Sequence, residues 1–442
     1  MSKQVVNIIG SGLAGSEAAY FLAEKGIQVR LYEMRPKKMT PAHQTDQCAE
    51  LVCSNSFKSH DLESAPGILK QEMTQLNSLI LKSASETAVP GGQSLSVDRK
   101  LFSQLITETL KNHPNVTFVN EEVSTPSANE ITLIATGPLT SPALSSWLAS
   151  ATNDTDLYFY DAIAPIIDAD SINKEIIYEK NRYDKGEEAA YLNCPMSQEQ
   201  YETFLNALSS AEKVPPKNFE KEKFFQGCQP IEAFADNGKD TLRYGPMKPV
   251  GLENPKTGKI PYAAVQLRPE NKSKTAYNLV GFQTKLKYGE QKKVFQLIPG
   301  LEKAKFIRLG SIHRNTYVCG PKVLRSDLSL KGNPKIYLAG QITGVEGYLE
   351  SSACGMLAAL FIYQRITDKD HLSPPINTAL GALLRYITGG PTKNYQPTNI
   401  NFSLLDPMFY NLPPKAKKDL IRKSIANQSI ENMKKWYIEN DL

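Results

Sequence analysis

The chain has 442 residues, 41% hydrophobic and 22% charged, with a formal net charge of +5. At roughly 150 residues per domain this is room for two or three domains with cores of their own. The apolar stretch near Met356 and Tyr363 is too short for a bilayer span, and six cysteines without a CxxC pair beside five histidines argue against a disulfide framework or a zinc site.

In chain order, the largely apolar run Val5–Ile9 predicts a buried parallel strand. It ends in Gly10-Ser11-Gly12-Leu13-Ala14-Gly15, and a helix over 16–25 and a second strand over 28–32 follow, with Glu33 at the end. This is a βαβ dinucleotide unit. Gly10 makes the turn, Gly12 lets backbone approach a pyrophosphate, Gly15 lets helix pack on strand, and Glu33 suits ribose hydroxyls. The pyrophosphate itself sits on the helix N-terminus. The N-terminus leads straight into the glycine turn without a signal-peptide pattern, so a cytoplasmic protein is expected.

Further along, an apolar strand over 131–135 ends in Thr136-Gly137, and another over 336–339 ends in Gly340-Gln341-Ile342-Thr343-Gly344-Val345-Glu346-Gly347-Tyr348 before a helix over 349–365. These two elements resemble two-dinucleotide-binding flavoproteins, whose late loop closes over the flavin. No second GxGxxG occurs. The dinucleotide is therefore FAD, bound through Gly10, Ser11, Gly12, Leu13, Ala14, Gly15, Glu33, Thr136, Gly137, Gly340, Gly344, Val345, Gly347 and Tyr348. The expected fold is α/β: a Rossmann-like FAD-binding domain in two parts, 1–184 and 306–405, an inserted smaller α/β domain over 185–305, and a basic C-terminal helix over 406–442.

Cys48 and Cys53 have the C-x4-C spacing of a flavin-linked redox disulfide. That alternative, a disulfide oxidoreductase, lacks the glycines before the first thiol, the proline after the second and a separate NADPH domain. Instead the segment reads Arg35-Pro36, then Thr40-Pro41-Ala42-His43-Gln44-Thr45-Asp46, then Ala49-Glu50-Leu51-Val52-Cys53-Ser54-Asn55-Ser56. Pro90-Gly91-Gly92, Val97-Asp98-Arg99, Tyr191-Leu192-Asn193-Cys194-Pro195-Met196, Gly227-Cys228-Gln229-Pro230 and the late Gly344 to Tyr348 loop follow in order. This series resembles the folate-dependent tRNA uracil-5-methyltransferase family, flavoprotein relatives of the glucose-inhibited division protein A type of tRNA-modifying enzyme. The resemblance loosens after about Leu372.

The resemblance implies methylation of uridine C5 at position 54 in the T-loop of tRNA, with 5,10-methylenetetrahydrofolate as carbon donor and FAD, reduced by NADH or NADPH, as electron source. The same chemistry on 23S ribosomal RNA is the neighbouring possibility. Uracil C5 becomes a nucleophile once a thiolate adds at C6, and the resemblance puts the two functional thiols at Cys53 and Cys228, with their roles open. Cys48, Cys319 and Cys354 read as small buried hydrophobes. Two basic stretches suit an RNA backbone: 268–293, with Tyr277, Phe282 and Tyr288 interleaved, and the tail 415–435, whose helical apolar stripe is Ile421, Ile425, Met433 and Trp436. The expected partners are tRNA and the folate, with no metal and no membrane.

Overall fold

The computed structural model describes residues 4–153, 158–185, 190–215, 229–393, 395–412 and 416–440, with backbone alone for 158–161, 313 and 314. Within these, Val5–Ile9 lies at the centre of a five-stranded parallel sheet in the order Ile336–Leu338, Thr132–Ile134, Val5–Ile9, Gln28–Tyr32, Val116–Val119. The three short strands that the apolar runs predict are thus adjacent in space, and their loops open at one edge of the sheet. The helix Leu13–Glu24 carries the chain from the central strand to its neighbour. It begins earlier than the 16–25 window because the glycine turn itself supplies its first turn.

The helix Tyr348–Ile366 is buried on nearly every side, from Leu349 through Ile362. This explains why its sequence carries almost no polar stripe. It packs against Leu13–Glu24 at close range: a β-carbon at Gly355 would stand 2.2 Å from the Ala14 carbonyl oxygen, and one at Gly340 2.9 Å from the Ala14 β-carbon. Absent side chains let the two backbones meet.

A second sheet of six strands is antiparallel, in the order Tyr178–Glu179, Leu192–Met196, Ala263–Pro269, Ala276–Leu279, Ile166–Asp168, Phe306–Arg308. Its strands begin before residue 185 and end after 305, wider than the inserted span read from sequence. The outlying strands are two or three residues long, too short for alternation to register. One face carries Ile167, Val265, Leu267, Tyr277 and Leu279 into a core of its own, closed by Phe204 and Leu208 of the helix Gln198–Ser210 and Phe295 of Tyr288–Phe295. Ser197 opens the first of these helices with a capping box to Gln200.

The C-terminal helix Lys418–Glu439 docks on Ala65–Gln75 through Ile425, Ala426, Ser429, Met433 and Trp436. A buried carboxylate fixes it there. Glu72 accepts hydrogen bonds from the Ala379 and Leu380 amides, both at 2.8 Å, and from the Ser429 hydroxyl at 2.7 Å. Burial pushes the Glu72 carboxyl up to about 7 against these donors. Glu17 does the same for the helix Leu79–Glu86, accepting from Ser78, Leu79 and Ile80, and is likewise raised to about 7 by burial.

Candidate active site

The glycine turn separates into packing and access. Gly10, at φ +99°, holds a backbone conformation that L side chains rarely adopt, and a β-carbon there would meet the Ala135 carbonyl at 2.7 Å. One at Gly15 would lie 1.9 Å from the Gly10 carbonyl. Gly12 faces open space, with nothing within 4 Å of a β-carbon. It precedes the helix Leu13–Glu24, which no side chain caps. Unbonded first-turn amides and the positive end of the helix dipole thus face a cleft with room for an anion. Ile9, Gly10, Gly12, Leu13, Ala14, Glu33, Thr136, Gly137, Gly340 and Tyr348 line that cleft.

Five of the cofactor residues read from sequence lie outside the cleft wall. Ser11 is fully buried and donates its hydroxyl to Glu33 at 2.7 Å. Gly15 packs helix on strand. Val345 is in the core. Gly344 is required by Tyr395, whose ring would sit 2.3 Å from a β-carbon, and Gly347 by Glu350, whose Oε2 would be equally close. The late glycines therefore serve packing behind the loop, while Gly340, Gln341 and Tyr348 present its cleft face.

Glu33 is held by more than the glycine turn. The Arg35 guanidinium meets both its oxygens at 2.9 Å, and the Ser11 amide donates at 3.2 Å. Burial alone would raise this carboxyl; the Arg35 and Ser11 contacts outweigh it and hold it down at about 2. Arg35 is 2% exposed and also reaches Glu50 at 3.3 Å and the Thr45 carbonyl at 2.9 Å. His43 lines the same cleft, its Nδ1 2.6 Å from the Thr40 hydroxyl. Burial, helped by Arg35, lowers it to about 4, so it is a neutral imidazole at neutral pH.

Next to the cleft runs the irregular segment that carries Cys53, which is partly exposed. The Tyr348 hydroxyl accepts from the Cys53 amide at 2.7 Å and the Ser54 amide at 3.0 Å. Its ring packs on Phe57, centroids 5.8 Å apart. Burial pushes the Tyr348 phenol well above its ordinary range, so it is a neutral hydroxyl. From the other side Arg99 donates to the Leu51 carbonyl at 2.5 Å and the Cys53 carbonyl at 3.2 Å, and pairs with Glu270 at the end of the strand Ala263–Pro269. Asn55 donates to the Val97 carbonyl at 2.9 Å and the Pro269 carbonyl at 3.0 Å. Arg308 of the second sheet reaches the Ala42 carbonyl at 3.4 Å and lies in the electrostatic reach of Cys53 and Arg99. The two sheets thus meet at the Cys53 segment.

Cys228 lies outside the described residues. Cys48 is 1% exposed, its thiol raised by burial, and Cys194, Cys319 and Cys354 are buried. Arg35, His43, Glu50, Arg99 and Glu270 belong to the site but carry no role in the sequence reading. All but Glu270 stand in the very segments that carry the family resemblance, and that clustering was the available signal.

The basic stretch 268–293 divides. Arg268 is 7% exposed on one face of the second sheet, and Tyr277 and Phe282 belong to the core on the other. Lys272, Lys287, Lys292, Lys293 and Tyr288 are on the surface, with Lys287 and Lys293 paired to Glu212 and Glu290 at 2.6 Å. Among the described residues no cluster could hold a metal ion, and no helix is long and apolar enough to cross a membrane.

A family model for glucose inhibited division protein A matches residues 5–370. The methylenetetrahydrofolate--tRNA-(uracil-5-)-methyltransferase TrmFO of Halalkalibacterium halodurans is 54% identical over 435 residues, covering 98% of this chain and 100% of that protein. The protein of the same name from Bacillus cereus is 52% identical over 432 residues, covering 98% and 99%. A crystal structure of GidA from Aquifex aeolicus has the same fold, at TM-score 0.68 and 16% identity, covering 99% of this chain and 78% of that one. The chain belongs to the glucose inhibited division protein A family and, within it, to the methylenetetrahydrofolate--tRNA-(uracil-5-)-methyltransferases of the TrmFO type.

Proposed function

We propose that this protein is a folate-dependent methyltransferase for C5 of uridine 54 in the T-loop of tRNA, acting in the cytoplasm. The observation that carries this reading is end-to-end identity of 54% with a protein of that name, joined to a thiol segment set beside a dinucleotide cleft. FAD fits the cleft: Gly12 leaves the space a pyrophosphate needs, the uncapped helix end attracts it, and the Glu33 carboxylate stands ionised at the end of the second strand. When bound and reduced by NADH or NADPH, FAD supplies the electrons that turn a methylene from 5,10-methylenetetrahydrofolate into a methyl group.

The chain's own part is to activate and place the base. One thiolate, of Cys53 or Cys228, adds to uracil C6 and makes C5 nucleophilic; its departure, with loss of the C5 proton, restores the ring. Tyr348 and Arg99 hold the main chain on either side of Cys53. His43 stands in the cleft wall as a neutral imidazole at neutral pH, a hydrogen-bonding group rather than a charged one. The exposed lysines at 272, 287, 292 and 293 and on the helix Lys418–Glu439 suit tRNA phosphates.

The test is incubation with unmodified tRNA, carbon-labelled 5,10-methylenetetrahydrofolate and NADPH, then nucleoside mass spectrometry. Label should enter 5-methyluridine at position 54. Label that appears only with S-adenosylmethionine, or only in ribosomal RNA, would reject the reading.

A further inference from the structure

We propose that Arg99 is a positioning residue for Cys53, and that Glu270 of the second sheet is its seat. This deepens the proposed function and rests on the reading of Cys53 as a functional thiol.

The segment around Cys53 has no regular secondary structure, so each of its backbone polar groups needs a partner from elsewhere. Two side chains distant in sequence supply them. Tyr348 takes the amides of Cys53 and Ser54. Arg99 takes the carbonyls of Leu51 and Cys53. The peptide units before and after the thiol-bearing carbon are thereby tied on opposite sides.

Arg99 can do this because its fork is used to the full. Nη1 and Nη2 reach the two carbonyls, while Nε and Nη2 hold the Glu270 carboxylate. A guanidinium presents these donors in one rigid plane, which an ammonium cannot. Glu270 is 5% exposed, so the pair is desolvated and the plane of the fork is set by the carboxylate. Glu270 also begins the turn after the strand Ala263–Pro269, its amide bonded to the Ala276 carbonyl at 2.9 Å. The strut therefore runs from the second sheet, through Arg99 at the first turn of the helix Arg99–Lys111, to the thiol segment against the dinucleotide cleft. How the second sheet sits decides where Cys53 sits.

Arg99→Lys and Glu270→Gln test this in the full-length, FAD-loaded protein, beside wild type and Cys53→Ala. Lys keeps the charge pair with Glu270 but cannot also span both carbonyls. Methylation kcat should fall by about tenfold or more, with KM for tRNA and for 5,10-methylenetetrahydrofolate within about threefold, the split expected when an interaction matters only in the transition state. FAD content and Tm should stay near wild type. Glu270→Gln keeps both carbonyl contacts and loosens only the far end; it should lower kcat alone and by less, and it decides the matter should Arg99→Lys not fold. The inference is overturned if both variants keep wild-type kcat, or if their loss lies wholly in KM or FAD content. If Cys53→Ala methylates normally while wild type is active, the reading of Cys53 fails instead, and an inactive wild type rejects the proposed function.

Discussion

The Tyr348 hydroxyl lies 2.7 Å from the Cys53 amide and 3.0 Å from that of Ser54, accepting a hydrogen bond from each. A residue read from sequence as a flavin contact is thereby also the anchor of the thiol segment. Tyr348→Phe keeps the ring on Phe57 and in the cleft but strands two amides. The expected cost in stability is about 1–3 kcal/mol, with a fall in methylation kcat of about tenfold or more and little loss of FAD. Flavin absorbance of the purified variant beside single-turnover methylation checks it; unchanged kcat would show the anchor to be idle.

The three glycines of the turn should fail differently. Gly12→Val places its side chain in open space, so the apoprotein should fold with wild-type Tm yet purify without flavin. Gly15→Ala drives a β-carbon to 1.9 Å from the Gly10 carbonyl and should cost about 1–3 kcal/mol through overpacking before any question of cofactor arises. Calorimetry of apoproteins with flavin titration separates the two.

Glu33 should make the fold acid-sensitive. Its carboxyl is held at about 2 in the fold against an ordinary 4.5. A depressed carboxylate stabilises above the ordinary value, and that stability is lost as pH falls through the folded one. The gap corresponds to at most about 3 kcal/mol. Glu33→Gln should therefore be less stable than wild type at neutral pH, with the difference shrinking steadily below pH 4.5, as denaturant unfolding of the apoprotein at several pH values would reveal.

Glu72 should act with the opposite sign. Its folded value, about 7, lies above 4.5, so its contribution is fully present below the ordinary value and lost as pH rises through 7. Wild type should lose up to about 3 kcal/mol from this group across that window, and Glu72→Gln should show a flatter profile. Hydrogen exchange should show the loss in the helix Lys418–Glu439, which Glu72 holds through Ser429.

Cys48 and Cys53 should separate cleanly. Cys48 is 1% exposed inside the core of the dinucleotide unit. Cys48→Ala should keep kcat within about threefold and lose about 1 kcal/mol or so of stability. Cys53→Ala should lower kcat by about a hundredfold or more. Equal losses would instead favour a redox pair.

By itself the sequence determined the dinucleotide unit, the strands at 5–9, 28–32 and near 131–135 and 336–339, and the family. Those signals are local: an apolar run, a glycine turn and a carboxylate after a second strand are neighbours in the chain, and each limits backbone geometry where it stands. Only the tertiary structure decided which glycines face the cleft and which merely pack, because partners such as Tyr395 at Gly344 and Ala135 at Gly10 arrive from outside the motif. It alone joined Tyr348 to Cys53 across 295 residues and Arg99 to Glu270 across 171. It alone turned Arg268, Tyr277 and Phe282 inward, off the expected RNA face. A hydrogen bond between residues that far apart leaves no periodicity in the sequence; it exists only once separately built elements have been packed together.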